Sequence, residues 1–161
     1  MSTEPETDIG IQIEYSERFE RQLTEGEPFA DTGVRLRAGD SFVTWTDDEF
    51  HVWEFVVTLM RKLCDATTGI LNGESSSVPF QATSYRWDIE AVDSRTVRVR
   101  TSSGGESPPM DRRSFARAVV DAATGLLEYV ESTNADLMAD QQVRELRTAR
   151  NEARAAIQQH E

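Results

Sequence analysis

Residues 85–100 read YRWDIEAVDSRTVRVR, and this stretch predicts a β-hairpin. Apolar and polar side chains alternate on both sides of a short turn at residues 93–95, which is typical of two half-buried strands. A three-residue turn pairs Ile89 with Val99 on the apolar face. The same register sets acidic residues against basic ones on the other face, with Glu90 opposite Arg98 and Asp88 opposite Arg100. Because both faces agree on one register, we expect an antiparallel sheet here.

All further strands are expected before the hairpin of residues 85–100 along the chain. An alternating pattern from Ile9 to Tyr15 predicts a first strand. Residues 34–37 and 42–45, joined by a four-residue loop, predict a second hairpin in which Leu36 pairs with Val43 and Val34 pairs with Trp45. Residues 78–83 predict one more strand. Residues 16–33 favour no particular element.

A first helix is predicted to begin at Thr46, where TDDE at residues 46–49 has the form of a capping box. Trp45 and Phe50 occupy the flanking positions of a hydrophobic staple. The helix is expected to run to about Ala66 and to stop near Gly69. Its apolar stripe consists of Val52, Phe55, Val56, Leu59, Met60 and Leu63.

Two more helices are expected, over residues 112–131 with Asp111 as N-cap and over residues 136–159. The apolar seam of the last helix is narrow and alternates in steps of three and four, as in a two-helix contact. Its members are Ala139, Val143, Leu146, Ala153 and Ile157. We expect this helix to lie outside the core and to bind a second copy or another protein. The alternative is that it folds back on residues 112–131.

These elements predict an α+β fold, with an antiparallel sheet of four to six strands and two helices packed on one of its faces. The third helix is an extra C-terminal element. The expected organisation is a disordered acidic N-terminus at residues 1–8, a single α+β domain at residues 9–132 and a helical extension at residues 133–161.

The charge balance restricts the partners. The chain has 161 residues, of which 29 are acidic and 17 basic, so its net charge is −12. Such a surface repels nucleic acid and anionic membranes, and neither is expected as a partner. There is no apolar run long enough for a membrane span and no signal-peptide pattern, so we expect a cytoplasmic location. The single cysteine excludes a disulfide framework.

Sixteen of the basic residues are arginines and one is a lysine, Lys62. Residues 1–31 alone hold nine acidic residues and two arginines, a net charge of −7. This acid-rich, lysine-poor composition resembles that of proteins from haloarchaea and other salt-accumulating microbes, in which carboxylates keep the surface hydrated while salt screens their repulsion. A high-GC genome is the alternative source of the arginine bias.

Catalytic chemistry is not indicated by any motif, and no cofactor is predicted. The best metal-like set is Asp47, His51 and Glu54, which share one face of the predicted first helix. Because the apolar stripe lies elsewhere, this face is interpreted as solvated and no metal site is predicted. Cys64 has no base near it in sequence and is interpreted as a core residue. The catalytic residues, if any exist, are therefore unknown.

Several arginines are placed by the predicted hairpins on sheet faces, where they would suit phosphate or an acidic partner. For Arg98 and Arg100, cross-strand pairing with acidic residues is the simpler interpretation. The predicted binding residues are Arg35 and Arg37 on the sheet and Val143, Leu146 and Ile157 on the last helix.

Two classes of function remain. The first is a non-enzymatic protein that binds a protein partner, and the absence of catalytic motifs favours it. The second is a small enzyme with a dispersed active site that no local motif reveals. A deep pocket lined by convergent polar groups would favour the enzyme, and a flat apolar patch would favour the binder.

The net charge leads to a prediction on salt. The screening length falls from about 30 Å at 0.01 M salt to about 3 Å at 1 M, so repulsion among the carboxylates is strongest in dilute buffer. We expect the melting temperature to rise steeply with KCl in a calorimetric titration. A midpoint that stays flat between dilute buffer and molar KCl would contradict the interpretation.

Overall fold

Groups of consecutive strands are separated by helices along the chain. The structure, a computed structural model, describes residues 4–43, 52–102 and 104–160, without the side chains of Val52 and Trp53. The strands are β1 (Ile9–Ile13), β2 (Asp31–Ala38), β3 (Ser41–Phe42), β4 (Val52–Phe55), β5 (Ser76–Pro79), β6 (Arg86–Ala91), β7 (Thr96–Thr101) and β8 (Met110–Asp111). The α-helices are α1 (Glu17–Thr24), α2 (Val56–Leu71), α3 (Arg112–Thr133) and α4 (Gln141–Gln159), with a 3-10 helix at Ala135–Ala139 before α4.

The strands form two antiparallel sheets of four. In the first sheet, β2 pairs with β1 along one edge and with β3 and β4 along the other. The second sheet has the order β5-β6-β7-β8. The predicted α+β class with antiparallel strands and a C-terminal helix is therefore confirmed, although the strands are divided between two sheets instead of forming one.

The two sheets meet near the N-terminus. Glu6 forms an isolated parallel bridge with Met110, at the start of β8. The Glu6 N–H donates to the Pro109 carbonyl at 2.9 Å, and the Asp111 N–H donates to the Glu6 carbonyl at 2.8 Å. Residues 4–8, which the sequence predicts to be disordered, thus include backbone contacts to the second sheet.

The hairpin of β6 and β7 has the predicted register. Ile89 lies opposite Val99, Glu90 opposite Arg98 and Asp88 opposite Arg100. The ion pairs, however, do not follow the cross-strand pairs. Arg98 pairs with Glu106 at 3.2 Å, and Arg100 lies 3.6 Å from Glu90. The segment after β7 brings Glu106 back beside Arg100, which adds an acceptor that the hairpin alone does not supply.

The hairpin of β2 and β3 keeps its predicted register at Leu36 and Val43, but Val34, predicted to pair with Trp45, lies opposite Val52 of β4. Arg37 lies opposite Phe42, and the Val43 N–H donates to the Leu36 carbonyl at 2.8 Å. The turn is shorter than predicted, because only two residues, Gly39 and Asp40, separate β2 from β3. Gly39 has a φ of 62°, in the left-handed region that glycine tolerates best. Trp45, the predicted partner of Val34, lies outside the described residues.

The predicted start of the first helix is wrong. Residues 52–55 form β4, which pairs with β2 from Asp31 to Val34, and α2 begins only at Val56 and continues to Leu71. The segment VWEF is rich in β-branched and aromatic residues, so its strand preference prevails over the helical spacing. The capping box at residues 46–49 and the staple residues Trp45 and Phe50 lie outside the described residues. The buried stripe of Val56, Leu59, Met60 and Leu63 agrees with the prediction.

The helix predicted over residues 112–131 is confirmed as α3. The Asp111 carboxylate accepts a hydrogen bond from the Ser114 N–H at 2.9 Å, which is the expected N-cap contact. Residues 16–33, for which the sequence favoured no element, contain α1 and the start of β2. Ser16 caps α1 through its hydroxyl, which accepts from the Phe19 N–H at 3.2 Å.

The expectation that the last helix lies outside the core is wrong. α4 packs against both α2 and α3, and its seam residues Val143, Leu146, Ala153 and Ile157 belong to the buried core. Ala139, in the 3-10 helix, is exposed. The reason lies in α2, which buries eleven of its sixteen residues and is therefore apolar on more than one side. The strands cover one side of α2, and α4 covers another.

The position of α4 leads to a prediction on stability. Leu146 is fully buried, so Leu146→Ala removes side-chain contacts and leaves a cavity. We expect the free energy of unfolding in urea to fall by about 2–5 kcal/mol. Glu152→Ala, at an exposed position of the same helix, is the control and should change it by no more than about 0.5 kcal/mol. Equal effects of the two substitutions would mean that α4 does not contribute to the core.

Candidate functional site

A cleft of about 350 Å³ lies where the ends of several elements meet. The end of α2, the turn between β6 and β7, the start of α3 and the residue after α4 all contribute to it. Its lining residues are Leu71, Ser94, Arg95, Asp111, Arg112, Arg113, Arg117 and His160. We call this site the arginine cleft.

Backbone hydrogen bonds bring the turn to the start of α3. The Arg112 N–H donates to the Arg95 carbonyl at 2.8 Å, and the Arg112 guanidinium donates to the Asp93 carbonyl. The Asp93 carboxylate accepts the N–H groups of Arg95 and Thr96, both at 2.8 Å. Those bonds, with the Arg112 charge as a smaller cause, hold the pKa of Asp93 below its usual value. The turn is therefore fixed by an ionised aspartate, and its arginine is held beside those of α3.

The ends of α2 and α4 complete the rim. The His160 Nε2 lies 3.2 Å from the Asn72 side-chain oxygen, which joins the residue after α4 to the residue after α2. Gly73 has a φ of 88°, and a Cβ placed on it would lie 3.7 Å from Nη1 of Arg112. The chain thus turns tightly past the guanidinium without covering it with a side chain.

The cleft is strongly basic in an acidic protein. Its described lining residues include four arginines and one aspartate. Their charges sum to +3, whereas the net charge of the chain is −12. The carboxylate belongs to Asp111, and its Oδ2 is occupied by the N–H and the hydroxyl of Ser114, both at 2.9 Å. Guanidinium groups bind carboxylates and phosphates through paired, charge-assisted hydrogen bonds. The arrangement therefore suits the binding of an anionic group.

The predicted binding residues lie elsewhere. The Arg35 Nε donates to the Gln12 side-chain oxygen at 2.7 Å, and its guanidinium carbon lies 3.9 Å from the centre of the Phe42 ring. Arg37 forms an ion pair with Asp8 at 3.0 Å. Both arginines thus make contacts within the first sheet. Val143, Leu146 and Ile157 are buried against the chain's own helices, and none of the five predicted residues lines the cleft.

The arginines of the cleft were missed, although one local signal pointed to them. Arg112 and Arg113 occupy the first turn of α3, the positive end of the helix dipole, where acidic residues are preferred. Two adjacent arginines at this position disagree with local electrostatics, and such disagreements are expected at functional sites. The convergence of Arg95 and His160 with them depends on tertiary structure and has no local signal.

The predicted metal-like set does not form on a helix face. Asp47 and His51 lie outside the described residues, and Glu54 is on β4 with only 1% of its surface exposed. Its carboxylate accepts the N–H groups of Gln81 and Ala82 and of its own neighbour Phe55. In the part of the chain that the structure describes, no three Asp, Glu, His or Cys side chains are grouped so as to hold a metal ion.

Cys64 lies inside α2 and is fully buried. Burial, with a smaller contribution from the Asp65 charge, raises the pKa of its thiol to about 12. The sulfur therefore stays protonated at neutral pH, and a thiolate nucleophile is not available at this position.

Comparison with known proteins gives no assignment: the chain matches no protein-family model, no curated protein and no solved structure. Within the described ranges, none of the helices has both the length and the apolar character needed to cross a bilayer.

The contacts of Glu54 lead to a prediction. An amide in place of the carboxylate has one acceptor oxygen, so Glu54→Gln leaves at least one of these partly buried N–H contacts without its acceptor. We expect the free energy of unfolding to fall by roughly 1–3 kcal/mol. Glu152→Gln makes the same chemical change at an exposed site and should leave stability unchanged within about 0.5 kcal/mol. If the two variants unfold at the same urea concentration, the Glu54 contacts do not stabilise the fold.

Proposed function

We propose that this protein is a non-enzymatic, cytoplasmic binding protein that recognises an anionic group on a protein partner through the arginine cleft. The observation that carries the proposal is the convergence of four arginines from two separate segments on one small cleft. Asp111, the acidic residue among the described lining groups, accepts from Ser114 in capping α3, and with its charge counted the lining groups still sum to +3.

The size of the cleft supports a partner that inserts a single group. Ligand pockets usually measure about 300–1,000 Å³, and the arginine cleft, at about 350 Å³, is at the lower end of that range. Each charge-assisted hydrogen bond contributes about 1.5–3 kcal/mol. Two or three such bonds to one carboxylate or phosphate are enough for specific recognition of a side chain on a partner's surface.

The surrounding charge supports a protein partner over a polyanion. A nucleic acid or an anionic membrane would bring many phosphates against a protein of net charge −12, and only those at the cleft would be attracted. A protein can present one acidic or phosphorylated side chain with neutral surface around it. High salt favours such a contact further, because screening suppresses the long-range repulsion more than the interaction of groups in direct contact.

A second candidate is a small enzyme that acts on an anionic substrate in the same cleft. It is favoured by His160, which lies beside the arginines, because histidine is the side chain that most often transfers protons near neutral pH. If a phosphate ester binds to the cleft and is not converted, the binding protein is favoured over the enzyme.

The proposal predicts that binding depends on Arg113, which is exposed in the cleft. We expect phosphate and a hexaglutamate peptide to bind the wild-type protein in calorimetric titrations at moderate KCl. Arg113→Glu should weaken the affinity at least tenfold, which corresponds to about 1.4 kcal/mol, since it replaces an attraction by a repulsion.

The matched control is Arg21→Glu, at an exposed position of α1, which changes the net charge by the same amount. It should leave the affinity within about twofold. Equal weakening by both variants would mean that the probes respond to overall charge, and no binding by the wild type would refute the cleft as an anion site.

A further inference from the structure

β1 is an edge strand with one open side. It pairs with β2, and none of the described strands pairs with its other edge from Ile9 to Ile13. The Glu14 N–H donates to the Gly33 carbonyl, and the Gly39 N–H donates to the Asp8 carbonyl. Even-numbered residues therefore direct their backbone groups at β2. Because the direction alternates along a strand, the N–H and C=O groups of Ile9, Ile11 and Ile13 point away from it.

The open side exists because the two sheets separate. They meet at Glu6 and Met110, but β8 ends at Asp111, and the chain continues at once as α3. α3 packs beside β1 and leaves a groove of about 510 Å³ between helix and strand. We call it the edge groove. Residues 9–13 form one of its walls, and Ala118, Asp121, Ala122 and Gly125 of α3 form the other.

The α3 wall of the groove is made mostly of small residues. Three of the four helix residues that line the groove have a methyl group or no side chain. A Cβ built on Gly125 would have only one neighbour within 4 Å, the Tyr15 hydroxyl at 3.8 Å. Tyr15 is 43% exposed at the end of the groove, and its ring lies 4.5 Å from that of Tyr129. A large, partly apolar side chain thus marks one end of a narrow path along β1.

The sequence of β1 does not itself protect the open edge, beside which α3 lies across the groove. Edge strands of stable proteins commonly carry charges or proline, which discourage pairing with another chain. The β1 sequence IGIQI has neither. Because a strand added to such an edge forms backbone hydrogen bonds at alternate residues, Ile9, Ile11 and Ile13 offer three donors and three acceptors.

The charge around the groove selects the occupant. Asp121 lies in its wall, and the Arg37 guanidinium, whose Nη2 would lie 3.1 Å from a Cβ on Gly10, is paired with Asp8. Glu14 follows β1 directly, and the charges of Glu128 and Glu20 act on Tyr15 and Tyr129 respectively. A second copy of the chain, with net charge −12, would be repelled.

We propose that the edge groove binds an extended, positively charged segment of a partner protein, which adds to β1 as a further strand. This site is separate from the arginine cleft and has the opposite charge preference. One protein would therefore hold two partner surfaces, or two parts of one partner, by different chemistry.

The test uses a nine-residue peptide of alternating arginine and valine. We expect saturable binding in NMR titrations, with slowed hydrogen exchange of the Ile9, Ile11 and Ile13 amides. A peptide with glutamate in place of arginine, and one methylated on alternate backbone nitrogens, should each bind at least tenfold more weakly. Equal binding of the methylated peptide would overturn the strand addition, since it cannot form the same hydrogen bonds.

Charge reversal in the groove gives a second test. Asp121→Arg should weaken binding of the arginine–valine peptide at least tenfold. Glu152→Arg, at an exposed position of α4, should change the affinity less than twofold. Sedimentation of the protein alone should show a monomer. Dimerisation that protects the same three amides would overturn the proposal in favour of a second copy. Arg113→Glu, in the arginine cleft, should leave peptide affinity unchanged. The anion titrations therefore test the arginine cleft and the peptide titrations test the edge groove, each independently of the other.

Discussion

The structure depends on one buried carboxylate. Glu54 lies on β4 of the first sheet and accepts backbone N–H groups from residues 81 and 82, between β5 and β6 of the second sheet. A buried polar group is costly unless it is hydrogen-bonded, and three N–H groups donate to this one. The contact holds the two sheets together at the point where the chain leaves β4. Since α2 begins at the next residue after β4, the placement of α2 follows from the same contact.

From α2 the remaining layers follow. This helix is apolar on two sides, so it packs on strands from both sheets and is covered in turn by α4. α3 packs along β1 and beside α2, and it is longer than either of them. The arginine cleft and the edge groove both adjoin α3. The first lies at its N-terminal end, where other elements also end, and the second lies where the helix separates the two sheets.

Local pattern was sufficient for two elements in which independent signals agreed. The β6–β7 register was predictable because its apolar and charged faces required the same pairing, and α3 because its cap and its stripe coincided. Residues 52–55 fit the helical period but are also rich in β-branched and aromatic residues, and pairing with β2 decided between the two. The seam spacing of α4 predicts contact with another helix, which α2 and α3 both provide, but the spacing carries no information on whether such a helix lies in the same chain. Likewise, the cleft unites Leu71 with His160, and only the packing of α4 on α2 makes them neighbours.

The late position of α4 in the chain has a consequence for synthesis on the ribosome. Every strand, together with α2 and α3, emerges from the exit tunnel before residues 143–157, which complete the core. Until then the nascent chain exposes the apolar side of α2 that α4 will cover, and such surface is what chaperones bind and what drives aggregation. The acidic residues concentrated at positions 1–31 are already outside the tunnel at that stage, and their mutual repulsion between neighbouring nascent chains opposes association while the core is still open.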